Sequence, residues 1–243
     1  MRVAILADIH GNLEALQAVL GDMQGRGMDQ VVCLGDNVGY GPNPEEVVQH
    51  LQQNGCQSVC GNHEFALFDE RGRRWLNFQA AENCLATKQI LSKESIDFLR
   101  TLPRNIQIDS GLFVHGFPLK SLFLYLNRQK VPRIRKLFGS YGIEVYFVGH
   151  THRLEVVEKV PGNGEIRRWI PGEGVVQLGE GCQYIFGCGS VGQPRDGDGR
   201  AVYLVWDYAD RYIAIVRVAY DFELTRRKIR ERGFPEIYAL RLG

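Results

Sequence analysis

The segment Val3-Ala4-Ile5-Leu6-Ala7-Asp8-Ile9-His10-Gly11-Asn12 sets the pattern for the whole chain. Its first five residues are apolar and rich in branched side chains, the composition of a short buried strand. The run then ends on a carboxylate and an imidazole, and Gly11 permits a tight turn. Asn12 to Gln24 follows, with Leu13, Leu16, Val19 and Leu20 at helical spacing after a Gly-Asn pair that can cap a helix. A strand, a polar end and a helix in that order begin an α/β sheet, where ligands gather at the carboxyl ends of strands.

The same unit recurs. Gln30 to Leu34 reads as a second strand and ends in Gly35-Asp36-Asn37; Pro44 to Asn54 reads as a second helix with Pro near its start. Ser58 to Cys60 closes a third strand before Gly61-Asn62-His63-Glu64. Leu112 to Val114 runs into His115-Gly116, and Val145 to Val148 into Gly149-His150-Thr151-His152. In an extended segment residues i and i+2 point the same way, so Asp8 with His10, and His150 with His152, can address one site from two directions. The glycines at 11, 35, 61, 116 and 149 suit tight turns and close backbone approach. Of six histidines, only His50 lies outside these strand ends, in a plain helix, and it reads as structural.

Elsewhere a helical stretch is expected from about Trp75 to Leu102, with Leu76, Ala80, Cys84 and Lys88 at four-residue intervals, and another from Leu122 to Phe138. After His152 the segments Glu155–Val160, Ile166–Ile170, Gln183–Gly187, Ala201–Tyr208 and Arg211–Val218 read as short strands of an antiparallel half. Asp221 to Arg232 reads as a closing basic helix. With no repeat or linker, residues 1–243 are expected to form one domain, about 65–103 being a helical cap within it.

Hydrophobic content of 44% and charged content of 23% are those of an ordinary globular protein. A formal net charge of +1 gives no nucleic-acid footprint and no membrane-binding surface, so an anionic substrate has to be attracted locally. Cysteines 33, 56, 60, 84, 182 and 188 form no CxxC pair and read as buried free thiols of a reducing compartment. The apolar run before Asp8 is too short for a signal peptide, and nothing approaches the roughly 18 apolar residues of a membrane span. The expected location is cytoplasmic.

The order Asp-x-His, Gly-Asp-Asn, Gly-Asn-His-Glu, His and Gly-His-Thr-His resembles the calcineurin-like metallophosphoesterase superfamily. The stretches Asp8-Ile9-His10-Gly11-Asn12-Leu13, Gly35-Asp36-Asn37-Val38-Gly39-Tyr40-Gly41-Pro42 and Gly189-Ser190-Val191-Gly192-Gln193-Pro194-Arg195 are similar to its small bacterial and archaeal phosphodiesterase branch. The likeness covers essentially the whole chain, although 65–103 carries no motif of the family. It implies an α/β fold: a two-sheet β-sandwich flanked by helices, here with a helical insertion.

The resemblance also implies two divalent cations. Asp8, His10, Asp36 and His152 would hold the first, and Asp36, Asn62, His115 and His150 the second, with Asp36 bridging. Such a mixed nitrogen and oxygen set suits Mn, Fe, Zn or Ni without selecting one. A bridged pair, roughly 3.5–4 Å apart, lowers a bound water's pKa towards about 7. The reaction so implied is in-line attack on phosphorus by a hydroxide held between the metals, on a small phosphoester or nucleotide. His63 is the candidate general acid for the leaving alkoxide, or simply the histidine that starts a helix. Asn12 and Asn37 can orient ligands through their amides, or serve as cap and turn residues. Tyr40 either edges the substrate cleft or is a surface turn aromatic. Arg195 either meets a second phosphate or forms a salt bridge to Asp196 or Asp198.

One departure is informative. Protein phosphatases and symmetric dinucleoside tetraphosphatases of this fold resemble each other in a GDxVDRG motif, and Gly35-Asp36-Asn37-Val38-Gly39-Tyr40-Gly41 lacks its second Asp and its Arg. A phosphodiesterase is therefore expected over a phosphomonoesterase or protein phosphatase. The alternative from another class is a non-catalytic metal-binding scaffold, as in the retromer subunit that shares this resemblance, where the ligands have decayed. Here every ligand position holds a competent side chain. Specificity is expected in Trp75 to Leu102 and in the loop Phe117-Pro118-Leu119-Lys120.

Overall fold

β1 (Arg2–Leu6) shows how side-chain alternation builds the layers. Val3 and Ile5 belong to the central core, while Ala4 and Leu6 pack with Ala15, Leu16 and Val19 of α1 (Leu13–Met23). The computed structural model describes residues 1–118, 121–140 and 142–243. β2 (Gln30–Cys33), α2 (Pro44–Gln53) and β3 (Gln57–Ser58) complete the opening unit, with β1, β2 and β3 paired parallel.

Four helices come next: α3 (Asn62–Phe68), α4 (Glu70–Arg73), α5 (Phe78–Ile90) and α6 (Lys93–Thr101). They close a separate apolar cluster that includes Val38, Val48, Ala66, Leu67, Cys84 and Leu99. The stretch expected to be helical from Trp75 to Leu102 is thus two helices. Ser92 ends the first by capping the second, its side chain accepting the Ser95 N–H at 3.1 Å.

β4 (Asn105–Ile108), β5 (Gly111–Val114), α7 (Val131–Phe138) and β6 (Val145–Val148) follow. The helix expected from Leu122 starts only at Val131, after a single 3-10 turn at Leu126–Arg128. Pro132 accounts for the late start, because its ring fits a first helical turn and cannot sit within a helix begun upstream. The remaining strands are β7 (Leu154–Lys159), β8 (Ile166–Trp169), β9 (Gly174–Gln177), β10 (Gln183–Cys188), β11 (Ala201–Asp207) and β12 (Tyr212–Val218). α8 (Phe222–Glu231) and α9 (Glu236–Leu240) close the chain.

The strands form two six-stranded sheets, β3-β2-β1-β11-β12-β9 and β4-β5-β6-β10-β7-β8. Their facing sides meet in one core, with Ile5, Val32, Leu204 and Trp206 from the first and Phe113, Phe147, Val156 and Phe186 from the second. The strands after His152 pair with one another antiparallel, as expected: β7 with β8 and β10, and β12 with β9 and β11. β10 also pairs parallel with the earlier β6, and β11 antiparallel with β1, so the later strands complete both sheets. All six cysteines are free and buried. Among the described residues no helix is long and apolar enough to cross a membrane.

Candidate metal centre

Asp8, His10, Asp36, Asn62, His115, His150 and His152 lie in one place, all buried, at the carboxyl ends of β1, β2, β5 and β6 and the start of α3. The donor atoms of Asp8, His10 and His152 fall within 4.8 Å of one another, as do those of Asp36, His115 and His150. The way the chain brings them there differs from the extended geometry expected. Asp8 and His10 have φ of +52° and +50°, and His150 and His152 of +67° and +56°. Asp36 and Tyr40 are left-handed too, at +52° and +61°. Each pair therefore converges through a turn that has left its strand, not through the pleat. Side chains rarely adopt this region, at a cost of order 1–3 kcal/mol each, and such strain clusters at functional sites.

Hydrogen bonds fix the imidazoles. Nδ1 of His10 lies 3.1 Å from the Val38 carbonyl, that of His115 2.8 Å from Leu34, and that of His152 2.7 Å from Gln193. A carbonyl can only accept, so each Nδ1 carries the proton and each Nε2 presents a lone pair. Nε2 of His10 and Nε2 of His152 then face each other at 3.1 Å, acceptor against acceptor. Nε2 of His115 likewise meets an acceptor, Asn62 Oδ1, at 2.8 Å, and lies 3.2 Å from His150 Nδ1. Converging lone pairs repel one another until a cation lies among them. The donor set fits divalent metal, and four imidazoles with two carboxylates suit a borderline ion.

Between the two groups stands Asp36. Its Oδ2 lies 3.4 Å from His115 Nε2 and 3.8 Å from His10 Nε2, while Oδ1 accepts the His63 backbone N–H at 2.8 Å. Asp8 accepts the His150 N–H at 2.9 Å. Burial raises both carboxylates, Asp36 to about 8 and Asp8 well above its ordinary value, where Asp36 adds repulsion. Burial lowers the histidines in the same way, His115 to about 4 and His63 to about 3. Neutral imidazoles and underpaired carboxylates are what a metal ion takes up.

Glu64 is the residue that sequence reasoning missed. Its carboxylate accepts the backbone N–H groups of Asp36 (2.8 Å), Asn37 (2.7 Å), Gly61 (2.8 Å) and Val38 (3.3 Å), tying the β2 end to the start of α3. Burial pushes it up to about 7. The signal was present: an acid in the third position of a helix that starts with a glycine is half of a capping box. Gly61 makes the approach feasible, since a Cβ there would fall 2.2 Å from Asp36 Oδ1.

The remaining candidates divide. His63 starts α3 and also lines the cleft, its ring packed against Tyr40 (4.5 Å) and His10 (4.9 Å). Tyr40 is no surface aromatic; it packs on His10 at 4.5 Å and on Tyr238 at 4.9 Å. Arg195 pairs with neither Asp196 nor Asp198, which are taken by Arg217 and Arg200. It lines the cleft, bonded to Gln193 Oε1 at 2.6 Å, with a buried Nε that has no partner among the described residues. Asn12 is a helix cap, its Oδ1 accepting the Ala15 N–H at 3.1 Å and its Nδ2 donating to Gly192. Asn37 donates to Ser58 Oγ at 2.9 Å, inside the fold.

Above the cluster opens a cleft of about 420 Å³, lined by Asp36, His63, His150, Arg195, Trp75 and Tyr125 among others. Of the segment expected to carry specificity, Trp75, Leu76, Asn77 and Ala80 reach it, and the rest of α5 and α6 packs behind. Phe117 and Pro118 line a different cavity of about 550 Å³, and Leu119 and Lys120 lie outside the described residues.

Comparison with known proteins agrees with this geometry. The family model of the calcineurin-like phosphoesterase superfamily domain matches residues 1–211. An uncharacterized protein of Methanocaldococcus jannaschii is 38% identical over 245 aligned positions, covering 99% of this chain and 96% of that one. The crystal structure of a metallophosphoesterase from Sphaerobacter thermophilus is similar at TM-score 0.85 and 32% identity, covering 99% and 98% of the two chains. That of a hypothetical protein from Pyrococcus horikoshii, at TM-score 0.77 and 19% identity over 98% and 96%, shares the fold. Two helix-flanked sheets, a buried Asp/His cluster at their strand ends and a family match across most of its length agree, and the chain belongs to the calcineurin-like phosphoesterase superfamily.

Proposed function

We propose that this protein is a phosphodiesterase working with two divalent cations. The observation that carries the reading is Asp36 Oδ2, set between the His10 and His115 nitrogens at 3.8 and 3.4 Å. On this reading Asp8, His10, Asp36 and His152 hold one ion, and Asp36, Asn62, His115 and His150 the other. When bound, the two ions supply a nucleophilic water at neutral pH and offset charge on the phosphoryl oxygens. The three Nδ1–H bonds to backbone carbonyls keep the rings aimed as the reaction proceeds, so little reorganisation is needed. Arg195 offers its unpaired Nε to a phosphoryl oxygen.

His63 donates a proton to the leaving oxygen. Burial holds its ring neutral at about 3, so this role requires the substrate's negative charge to lift the ring back towards neutral pH. The location this reading fits is the cytoplasm, and the substrate a small phosphoester.

The test compares bis-p-nitrophenyl phosphate with p-nitrophenyl phosphate, with Mn²⁺ added and after chelation, alongside a count of bound metal. Faster metal-dependent cleavage of the diester with two ions per chain is expected. No turnover at all would leave a scaffold; turnover that ignores chelation would overturn the role of the cations, and a faster monoester the diesterase reading.

A further inference from the structure

We propose that the cleft holds a subsite for a nucleobase, formed by the stacked rings of Trp75 and Phe123, so that the substrate is a nucleotide phosphoester. The inference rests on the phosphoesterase reading above and adds the substrate class. Trp75 leaves 72% of its surface exposed, whereas Trp206 is buried in the core. Its ring stacks on Phe123 at 5.4 Å and 19°. Behind, Phe123 meets the edge of Phe65 at 6.1 Å, and the Arg104 guanidinium lies 4.6 Å over Phe65. The column is anchored on one side and ends in an indole left largely open among the described residues. A further planar ring is what extends such a stack.

Position supports the assignment. Trp75 and Phe123 line the same cleft as Asp36, His63 and His150, so a base on the indole belongs to a molecule whose phosphate reaches the cluster. The turn that carries the indole is fixed. The Trp75 backbone N–H donates to the Gly72 carbonyl at 3.1 Å, and two residues on Asn77 caps α5 through the Ala80 N–H at 2.9 Å. A ring carried on a fixed turn between helices loses little entropy when a ligand stacks on it.

The surroundings suit a charged heteroaromatic better than an aliphatic chain. Asn77 and Gln129 bring amides to the cleft, and Arg128 lies 5.1 Å over Tyr125, itself stacked on His150 at 4.1 Å. From residue 121 to 140 the chain carries Arg128, Lys130, Arg133, Arg135 and Lys136 with no acidic residue. Of these Arg128 lines the cleft, and together with Arg195 it gives the cleft a positive field, which draws an anion. Stacking on an aromatic is tolerant of base identity, so the subsite selects nucleotides over ring-free esters without choosing one base.

The experiment takes the metal-loaded protein and two phosphodiesters, a nucleotide diester and a glycerol phosphodiester without a ring. The ratio of their kcat/KM is measured for the wild type, Trp75→Ala and Trp75→Phe. Loss of one stacking contact should lower the nucleotide-to-glycerol ratio by roughly 5- to 100-fold in Trp75→Ala, mainly through KM, with partial recovery in Trp75→Phe. An unchanged ratio would overturn the subsite and leave the phosphoesterase reading standing. Hydrolysis of neither ester would instead overturn the phosphoesterase reading. The subsite is then decided by tryptophan fluorescence: quenching by a nucleoside monophosphate but not by ribose 5-phosphate supports it, and equal response to both overturns it.

Discussion

The floor of the cleft and its rim are built by opposite means. On the floor, Asp8, His10, Asp36, His150 and His152 are buried and sit at positive φ, and the side chains of Asp8, His10, Asp36 and His152 are fixed by hydrogen bonds to backbone. On the rim, Trp75 is 72% exposed and touches mainly another ring. The floor is costly to fold, because strained turns and desolvated carboxylates both oppose it. The rim costs little, so its side chains are free to change with the substrate. Chemistry is held by strain that a cation offsets, and specificity by surface that stability hardly notices.

The sharpest way to break that contrast is Asp36→Asn. Removing the carboxylate proposed to bridge the cations should lower metal-dependent turnover by about 10³-fold or more and abolish most of the thermal shift expected of Mn²⁺ on the wild type. Without metal the sign reverses. The Asp36 carboxyl is raised from its ordinary 3.8 to about 8, so its folded form binds the proton more tightly and the metal-free wild type loses stability as pH rises through that window. The amide of the variant does not titrate. Metal-free melting curves from pH 4 to 8 should therefore show the variant gaining on the wild type. A variant that melts lower at every pH would mean the floor is not strained by charge.

His63→Ala probes the step from floor to substrate. Cleavage of alkyl phosphodiesters should fall on the order of 10²-fold while p-nitrophenyl esters, with a good leaving group, change little. Equal losses on both would remove the acid role. Metal content has to be measured in the same samples, because His63 also comes within ligand range of His10 and Asp36. Loss of an ion would make it a ligand instead.

The sequence was most readable where composition changes abruptly. The apolar strands that run into Asp8, Asp36, Asn62, His115 and His150 each mark a piece of the floor, and all seven expected ligand positions come together in space. What stayed hidden was backbone conformation, since nothing in Asp8-Ile9-His10 signals φ near +50° for residues that rarely adopt it. The edge strands β4 and β9 were also illegible: each has four residues, and in β9 Gly174, Val175 and Gln177 are exposed, so no core pattern shows. Glu64 was hidden differently, looking like any acid in a first helical turn. Glu64→Gln puts an NH₂ among four backbone N–H groups that need acceptors. A 10- to 100-fold loss of metal affinity, of about the size seen when groups that position ligands are altered, is expected in a metal titration.

The smallest effect separates bracing from capping. Asn12 caps α1 through Oδ1 and holds the Gly192 carbonyl through Nδ2 at 2.8 Å, in the loop whose Gln193 carbonyl orients His152. If the cap is what matters, Asn12→Ala costs about 1 kcal/mol of stability, or roughly 2–4 °C in Tm. Asn12→Ser keeps a capping oxygen without the amide that reaches the Gly192 carbonyl, and should recover most of that loss with metal affinity unchanged. If Ser recovers the melting temperature but metal binding stays weak, the amide is steering His152 through the loop. The boundary between floor and scaffold then lies one layer further out than the hydrogen bonds to the imidazoles place it.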